Sequence, residues 1–175
     1  ATRARGLDVI EKELGYQTVK PFTNPKSFSS FLKYDCIRLC REEPDWQNAV
    51  RLSAEPLLKR GFIEECYVEN MIGFIGEQGF YAVSDDSFAL LHGKGVEGIH
   101  QTSLSLLITE TPVHFGEKKV RVIFCLASKD SKEHIPAVVT LMRMVKTTGL
   151  IRELEASRTE EEAYQSVLNC EFEVL

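Results

Sequence analysis

The 175-residue sequence predicts an α/β three-layer sandwich, a mixed sheet of about five strands flanked by helices. Three observations carry that expectation. The apolar period shifts from about 3.6 residues to about 2 past Gly79 and returns to the helical value in the last third of the chain. Strand patterns are bracketed by helical ones on both sides. Some strand pairs leave room for a helical crossover and others only for a hairpin, which makes the sheet mixed.

Taken in order, residues 1–28 contain one short helical pattern over 6–14, ended by Gly15, and then Pro21, Asn24 and Pro25, which break regular structure. This stretch reads as an N-terminal connector, and residues 29–175 as the compact domain. Cys36-Ile37-Arg38-Leu39-Cys40 alternates apolar and polar side chains as a half-buried strand does. Asp45 stands where it caps a helix beginning at Trp46, with Ala49, Val50, Leu57 and Leu58 on one face, a kink expected at Pro56, and Gly61 past the end. A second helix over 63–78 places Cys66, Met71, Ile72 and Ile75 at helical spacing before Gly79, and both helix faces read as core. Four further strands follow at 80–83, 88–91, 102–109 and 120–126, separated by Asp, Gly and Pro turns. Ile135, Val138, Val139, Leu141, Met142 and Val145 then form a broad helical face, a shorter helix covers 149–156, and a capping box from Thr159 to Glu162 opens a final helix to about residue 168.

Twenty-one basic against 26 acidic side chains leave a net charge of −5, which offers no general footprint for a phosphate backbone and argues against direct nucleic-acid binding. No apolar run reaches the ~18 residues that span a bilayer, so no membrane insertion is expected. Five cysteines, an odd number in apolar context, do not form a disulfide framework and point to a reducing, cytoplasmic setting. The sequence opens on Ala1 rather than Met, so a processed chain or a piece of a longer one is expected.

Dinucleotide, Walker, zincin and hydrolase-elbow motifs are missing. Four histidines remain. His92 ends the strand pattern Phe88-Ala89-Leu90-Leu91 and precedes Gly93, where the backbone is free to approach a ligand. His134 lies near a helix start, beside N–H groups that favour an anion such as phosphate. Together they make a candidate phosphate site, while His100 and His114 fall in polar, loop-like segments and receive no role. The histidines lack companion Cys or carboxylate ligands at metal spacing, so no metal is expected. Cys125 ends a strand ahead of Leu-Ala-Ser-Lys-Asp-Ser, but no Arg stands at phosphatase spacing and it reads as a buried strand thiol; Cys36 and Cys40 share a strand face and read as packing.

The run Phe88-Ala89-Leu90-Leu91-His92-Gly93-Lys94, followed by Val96-Glu97-Gly98-Ile99, resembles the active-site signature of the EIIA components of the fructose/mannitol class of the bacterial sugar phosphotransferase system (PTS), where a strand ends Ala-x-Pro-His-Gly. Pro112-Val113-His114-Phe115-Gly116 resembles a turn motif of that family, and Lys132-Glu133-His134 its second histidine. The spacing from Cys36-Ile37-Arg38-Leu39 through Asp45-Trp46-Gln47-Asn48 to His92 is most similar to the ascorbate-type branch. The resemblance implies that His92 accepts a phosphoryl group from HPr, that His134 orients or hydrogen-bonds it, and that it passes on to an EIIB component without a cofactor. Leu91 stands where the family has proline, and residues 74–78 lack the Arg that mannitol-type members carry. With the roughly 30 extra residues ahead of the domain, the departure at the proline resembles the EIIA-like module at the C-terminal end of PRD-type sugar-operon regulators, which implies sibling regulatory domains upstream. The alternatives are a transport component that feeds EIIB for sugar uptake, and a binding module that accepts no phosphate.

Overall fold

A computed structural model of the chain describes residues 28–85 and 87–175; residues 1–27 of the expected connector, with its short helix over 6–14, lie outside them, while its last residue, Phe28, is buried. The described chain opens with a helical turn, α1 (Phe28–Phe31), that runs directly into β1 (Leu32–Cys40). Helix α2 (Trp46–Lys59) starts where Asp45 accepts the Asn48 amide at 2.8 Å and continues through Pro56 without a break. Helix α3 (Glu65–Glu77) follows, then the three-residue β2 (Ala89–Leu91), β3 (Ser103–Phe115) and β4 (Lys118–Ala127). The chain closes with α4 (Ile135–Thr147), α5 (Leu150–Ala156) and α6 (Glu160–Val174).

The sheet has four strands in the order β1-β3-β4-β2. β1 runs parallel to β3 and β2 parallel to β4, while β3 and β4 are an antiparallel hairpin. The sheet is mixed, as expected, with one strand fewer. The missing one is the stretch 80–83, whose apolar residues signal packing rather than pairing. Gly79 and Phe80 both take positive φ, 68° and 67°, and the Val83 amide bonds the Phe80 carbonyl in a turn. The Phe80 ring fills a cluster with Trp46 and Phe115, at centroid distances of 5.2 and 6.0 Å. Of this stretch, Val83 alone makes a bridge, to Ala89.

Alternation along the sheet separates the two helical layers. Ser105 and Cys125 pair across β3 and β4; Ser105 donates to the Ser53 carbonyl of α2, and the Cys125 sulfur lies 3.6 Å from Met71 of α3. Their neighbour Phe124 faces the opposite way, where Phe28 of α1 and Phe88 meet it edge-on, each at 6.2 Å. Helices α2 and α3 therefore cover one face, and α1 with the C-terminal helices covers the other. β3 is longer than the sequence pattern predicts and takes in His114, because the hairpin extends past the edge of β1 to a tight turn at Gly116 (φ 65°). The last helix also runs on, to Val174, with its buried residues Ala163, Val167 and Cys170 continuing one stripe. Among the described residues, no helix is long and apolar enough to cross a membrane.

Candidate functional site

β2 delivers its next residue, His92, to the carboxyl end of the β2–β4 pair, where β4 also ends. The segment after β4 turns back through Ser128 and Asp130 to His134 at the start of α4. Both imidazoles border one cleft of about 250 Å³, together with Tyr67, Gly93, Val96 and Ser128. Two larger clefts lie elsewhere, one rimmed by carboxylates between α2 and α3 and one at the far end of the sheet. Neither contains a histidine. The structure thus brings together the two histidines that sequence reasoning singled out, and sets His100 and His114 apart from them: His100 pairs with Glu64 at 3.2 Å, and His114 lies in β3 next to the hairpin turn.

His92 is 8% and His134 7% exposed. The Nδ1 atom of His92 lies 3.3 Å from the Leu90 carbonyl, a contact that favours the Nδ1–H tautomer and leaves the lone pair of a neutral ring on Nε2. The Phe74 ring of α3 packs against this imidazole at 5.7 Å. Here α3 turns an aromatic side chain, not a cation, to the histidine. The Nδ1 atom of His134 is 2.6 Å from the Ser128 hydroxyl, which itself donates to the Asp130 carbonyl at 2.5 Å. Burial lowers the His134 pKa; the Asp130 carboxylate pulls it up, and the nearby His92 pushes it down again. Burial, the largest of these influences, favours the neutral form of His134.

Asp130 shapes the approach to His134. Its carboxylate accepts the amides of Lys132 and Glu133, each at 2.7 Å, and those two bonds keep the carboxyl below its usual pKa. The helix start offers an anion less than the sequence implies. Pro136 has no N–H, and the Ile135 amide is engaged by the Lys132 carbonyl at 3.1 Å. What His134 brings to the cleft is its ring.

The flanks of His92 also differ from the sequence reading. Gly93 spares the backbone a clash with α3 rather than with a ligand: a Cβ there would meet the Asn70 Oδ1 atom at 2.6 Å and Tyr67 Cε2 at 3.1 Å. Cys125 is buried in the sheet under α3, its thiol pushed up to about 12 by burial, which suits packing and not nucleophilic attack. Tyr67, Ser128 and Asp130, which line the cleft, and Asn70, which holds the Lys94 backbone beside it, are the groups the sequence reading missed. A signal existed for the first two: Tyr67, Asn70 and Phe74 recur at helical spacing, a polar-tipped stripe on a helix otherwise read as plain core.

An open α/β sandwich with two buried imidazoles bordering one cleft at the end of an edge strand is an arrangement suited to holding a phosphoryl group. Residues 30–170 match the family described as phosphoenolpyruvate-dependent sugar phosphotransferase system, EIIA 2, and the chain belongs to that family of phosphoryl-relay domains. The ascorbate-specific PTS system EIIA component of Shigella flexneri is 25% identical over 141 residues, spanning 78% of this chain and 92% of the relative. The fold is also that of the mannitol-specific cryptic phosphotransferase enzyme IIA of Escherichia coli, with a TM-score of 0.74 at 20% identity over 82% of this chain and 99% of that one. The mannitol enzyme IIA of E. coli, solved in complex with phosphorylated enzyme IIB, superposes with a TM-score of 0.68 at 21% identity, over 79% of this chain and 99% of the other.

Proposed function

We propose that this EIIA domain accepts a phosphoryl group on His92 Nε2 from the phosphohistidine of HPr. The observation that carries the reading is the convergence of His92 and His134 on one cleft, with the Leu90 contact favouring a lone pair on His92 Nε2. In the transfer, this lone pair attacks phosphorus in line and forms the new N–P bond. The N–P bond of the donor breaks, and its electron pair returns to the donor imidazole. The arriving negative charge raises the proton affinity of His134, which takes a proton from solvent and donates from its own Nε2 to a phosphoryl oxygen while Ser128 holds its Nδ1. The group then passes to a cysteine or histidine of an EIIB partner, a step supported by the solved complex of the mannitol relative.

We further read residues 29–175 as the EIIA module and 1–28 as a connector, with the module serving as the regulatory C-terminal part of a PRD-type, PTS-controlled transcriptional activator. Leu91 in place of the family proline and the residues ahead of the matched segment support this setting. The second reading, a transport component that feeds EIIB for sugar uptake, draws support from the 92% of the ascorbate-specific relative that the match spans.

The test is intact mass after incubation with phosphoenolpyruvate, enzyme I and HPr, at neutral pH to preserve the acid-labile N–P bond. The parent gains one phosphoryl group, His92→Ala gains none, and His134→Ala gains it slowly. Labelling of His92→Ala, or none in the parent, overturns the assignment. A regulatory module then binds EIIB or a sibling domain differently in its phosphorylated and free forms; equal binding of both forms removes the regulatory reading.

A further inference from the structure

The segment that carries His92 is weakly held by the sheet. β2 has three residues; β4 is its one partner strand, on its other side it meets only the 82–84 turn, through the Val83–Ala89 bridge and the Leu90 amide on the Ala82 carbonyl, and past Leu91 the chain leaves the sheet. Three hydrogen bonds to α3 side chains take over, and a fourth ties one of those side chains to β4. The Gly93 amide donates to the Tyr67 hydroxyl at 2.9 Å, and that hydroxyl donates to the Leu126 carbonyl of β4 at 2.8 Å. One residue further on, Asn70 grips the Lys94 backbone on both sides: Oδ1 accepts the Lys94 amide at 2.8 Å, and Nδ2 donates to the Lys94 carbonyl at 2.9 Å.

The Tyr67 hydroxyl occupies a special position among these. It is buried, and it uses its one proton and a lone pair on two different segments. One bond reaches the peptide that follows His92. The other reaches the strand end two residues before Ser128, whose hydroxyl holds His134. A single oxygen thus joins the two histidine-bearing segments. Burial drives its pKa up, so the O–H stays protonated and both bonds persist through the working pH range.

We propose that Tyr67 and Asn70 are positioning residues for phosphoryl transfer: from one face of α3 they fix the 92–94 segment, and through the Tyr67 hydroxyl they set the separation and aim of His92 relative to His134. The proposal rests on the His92 reading above and adds to it the groups that make the acceptor nitrogen rigid. In-line transfer through a loose transition state depends on alignment, and a misplacement of ~1 Å costs roughly a hundredfold in rate. Removing the Tyr67 oxygen deprives the Gly93 amide and the Leu126 carbonyl of a shared buried partner and lets the two segments drift apart.

The test compares the parent, Tyr67→Phe and Asn70→Ala. Phe keeps the ring and its packing, and Asn70 is only half-buried, so Asn70→Ala stands in if the Phe variant does not fold. With phospho-HPr as donor, both variants are expected to keep KM within about twofold while the transfer rate falls by about tenfold or more. A variant that is merely less stable but folded at the assay temperature transfers at the parent rate, and that result overturns the proposal. A second readout needs no phosphate: 15N imidazole titration of His92 and His134. The parent is expected to show the charge of one ring perturbing the titration of the other; Tyr67→Phe is expected to weaken that perturbation, and an unchanged perturbation in the folded variant overturns the proposal. If the parent fails to take phosphate at all, the His92 reading falls, and the titrations alone decide the role of Tyr67.

Discussion

The sharpest quantitative consequence of the α3 contact falls on Gly93. Its φ is not in the left-handed region, so alanine can adopt the backbone there, and the cost of Gly93→Ala is one of space alone. The new methyl meets Asn70 Oδ1 at 2.6 Å, and Asn70 must swing away, giving up both of its bonds to Lys94, worth ~1 kcal/mol each. Contacts with Tyr67 Cε2 at 3.1 Å and Met71 Cγ at 3.3 Å demand further small shifts, and overpacking of this kind typically costs about 1–3 kcal/mol. A combined loss of about 3–5 kcal/mol lowers Tm by about 6–20 °C for a chain of this size. Thermal and urea unfolding of Gly93→Ala, Asn70→Ala and the double variant check it, with an unchanged urea m-value showing that the denatured state is the same. Because both single changes break the same two bonds, the double variant should be more stable than additivity predicts, by more than ~0.5 kcal/mol. An additive cycle, or a Gly93→Ala protein that melts with the parent, refutes the contact.

Two other predictions follow from groups in and beneath the cleft. Burial holds folded His134 below its ordinary pKa of 6.5, so the unfolded chain binds that proton first as pH falls; the stability due to neutral His134 is complete above about pH 6.5 and declines below it. Urea midpoints from pH 8 to 5 should therefore fall less in His134→Gln than in the parent, and identical slopes would remove the buried neutral ring. Of the five cysteines only Cys66 is exposed, and burial pushes the thiols of Cys36 and Cys125 up to about 11 and about 12. A thiol reagent at pH 8 should modify one cysteine rapidly in the native protein and all five in denaturant, and a fast thiol surviving in Cys66→Ser contradicts this burial.

The architecture and the pair of histidines were legible in the sequence because both rest on local rules. Period and capping residues mark α2 and α6 directly: Asp45 and Thr159 accept the amides they were expected to accept, the latter from Glu162 at 3.1 Å. The His-Gly pair after a short apolar strand and the Lys-Glu-His before a helix sit at the ends of elements, where side chains converge on ligands. What the sequence could not show depends on contacts between distant segments. Residues 80–83 look like a strand because Phe80, Ala82 and Val83 are apolar; their burial comes instead from a turn packed on Trp46 and Phe115. Tyr67 sits among core residues and belongs there by volume. Only the approach of Gly93 and Leu126, 26 and 59 residues away, gives its hydroxyl a task.

The opposed directions of the two parallel pairs give this sheet two carboxyl ends. β2 and β4 finish beside the histidines, whereas β1 finishes at Cys40, paired with Thr109, near the start of β4. About five residues of β4, or roughly 16 Å, lie between them. At the second end a separate cleft of about 610 Å³ is bordered by Arg41, Arg121 and Arg158. Two bodies approaching along the strand direction, one at each end, do not compete for the same surface, so a neighbour seated at the arginines leaves the histidine cleft open to a second partner.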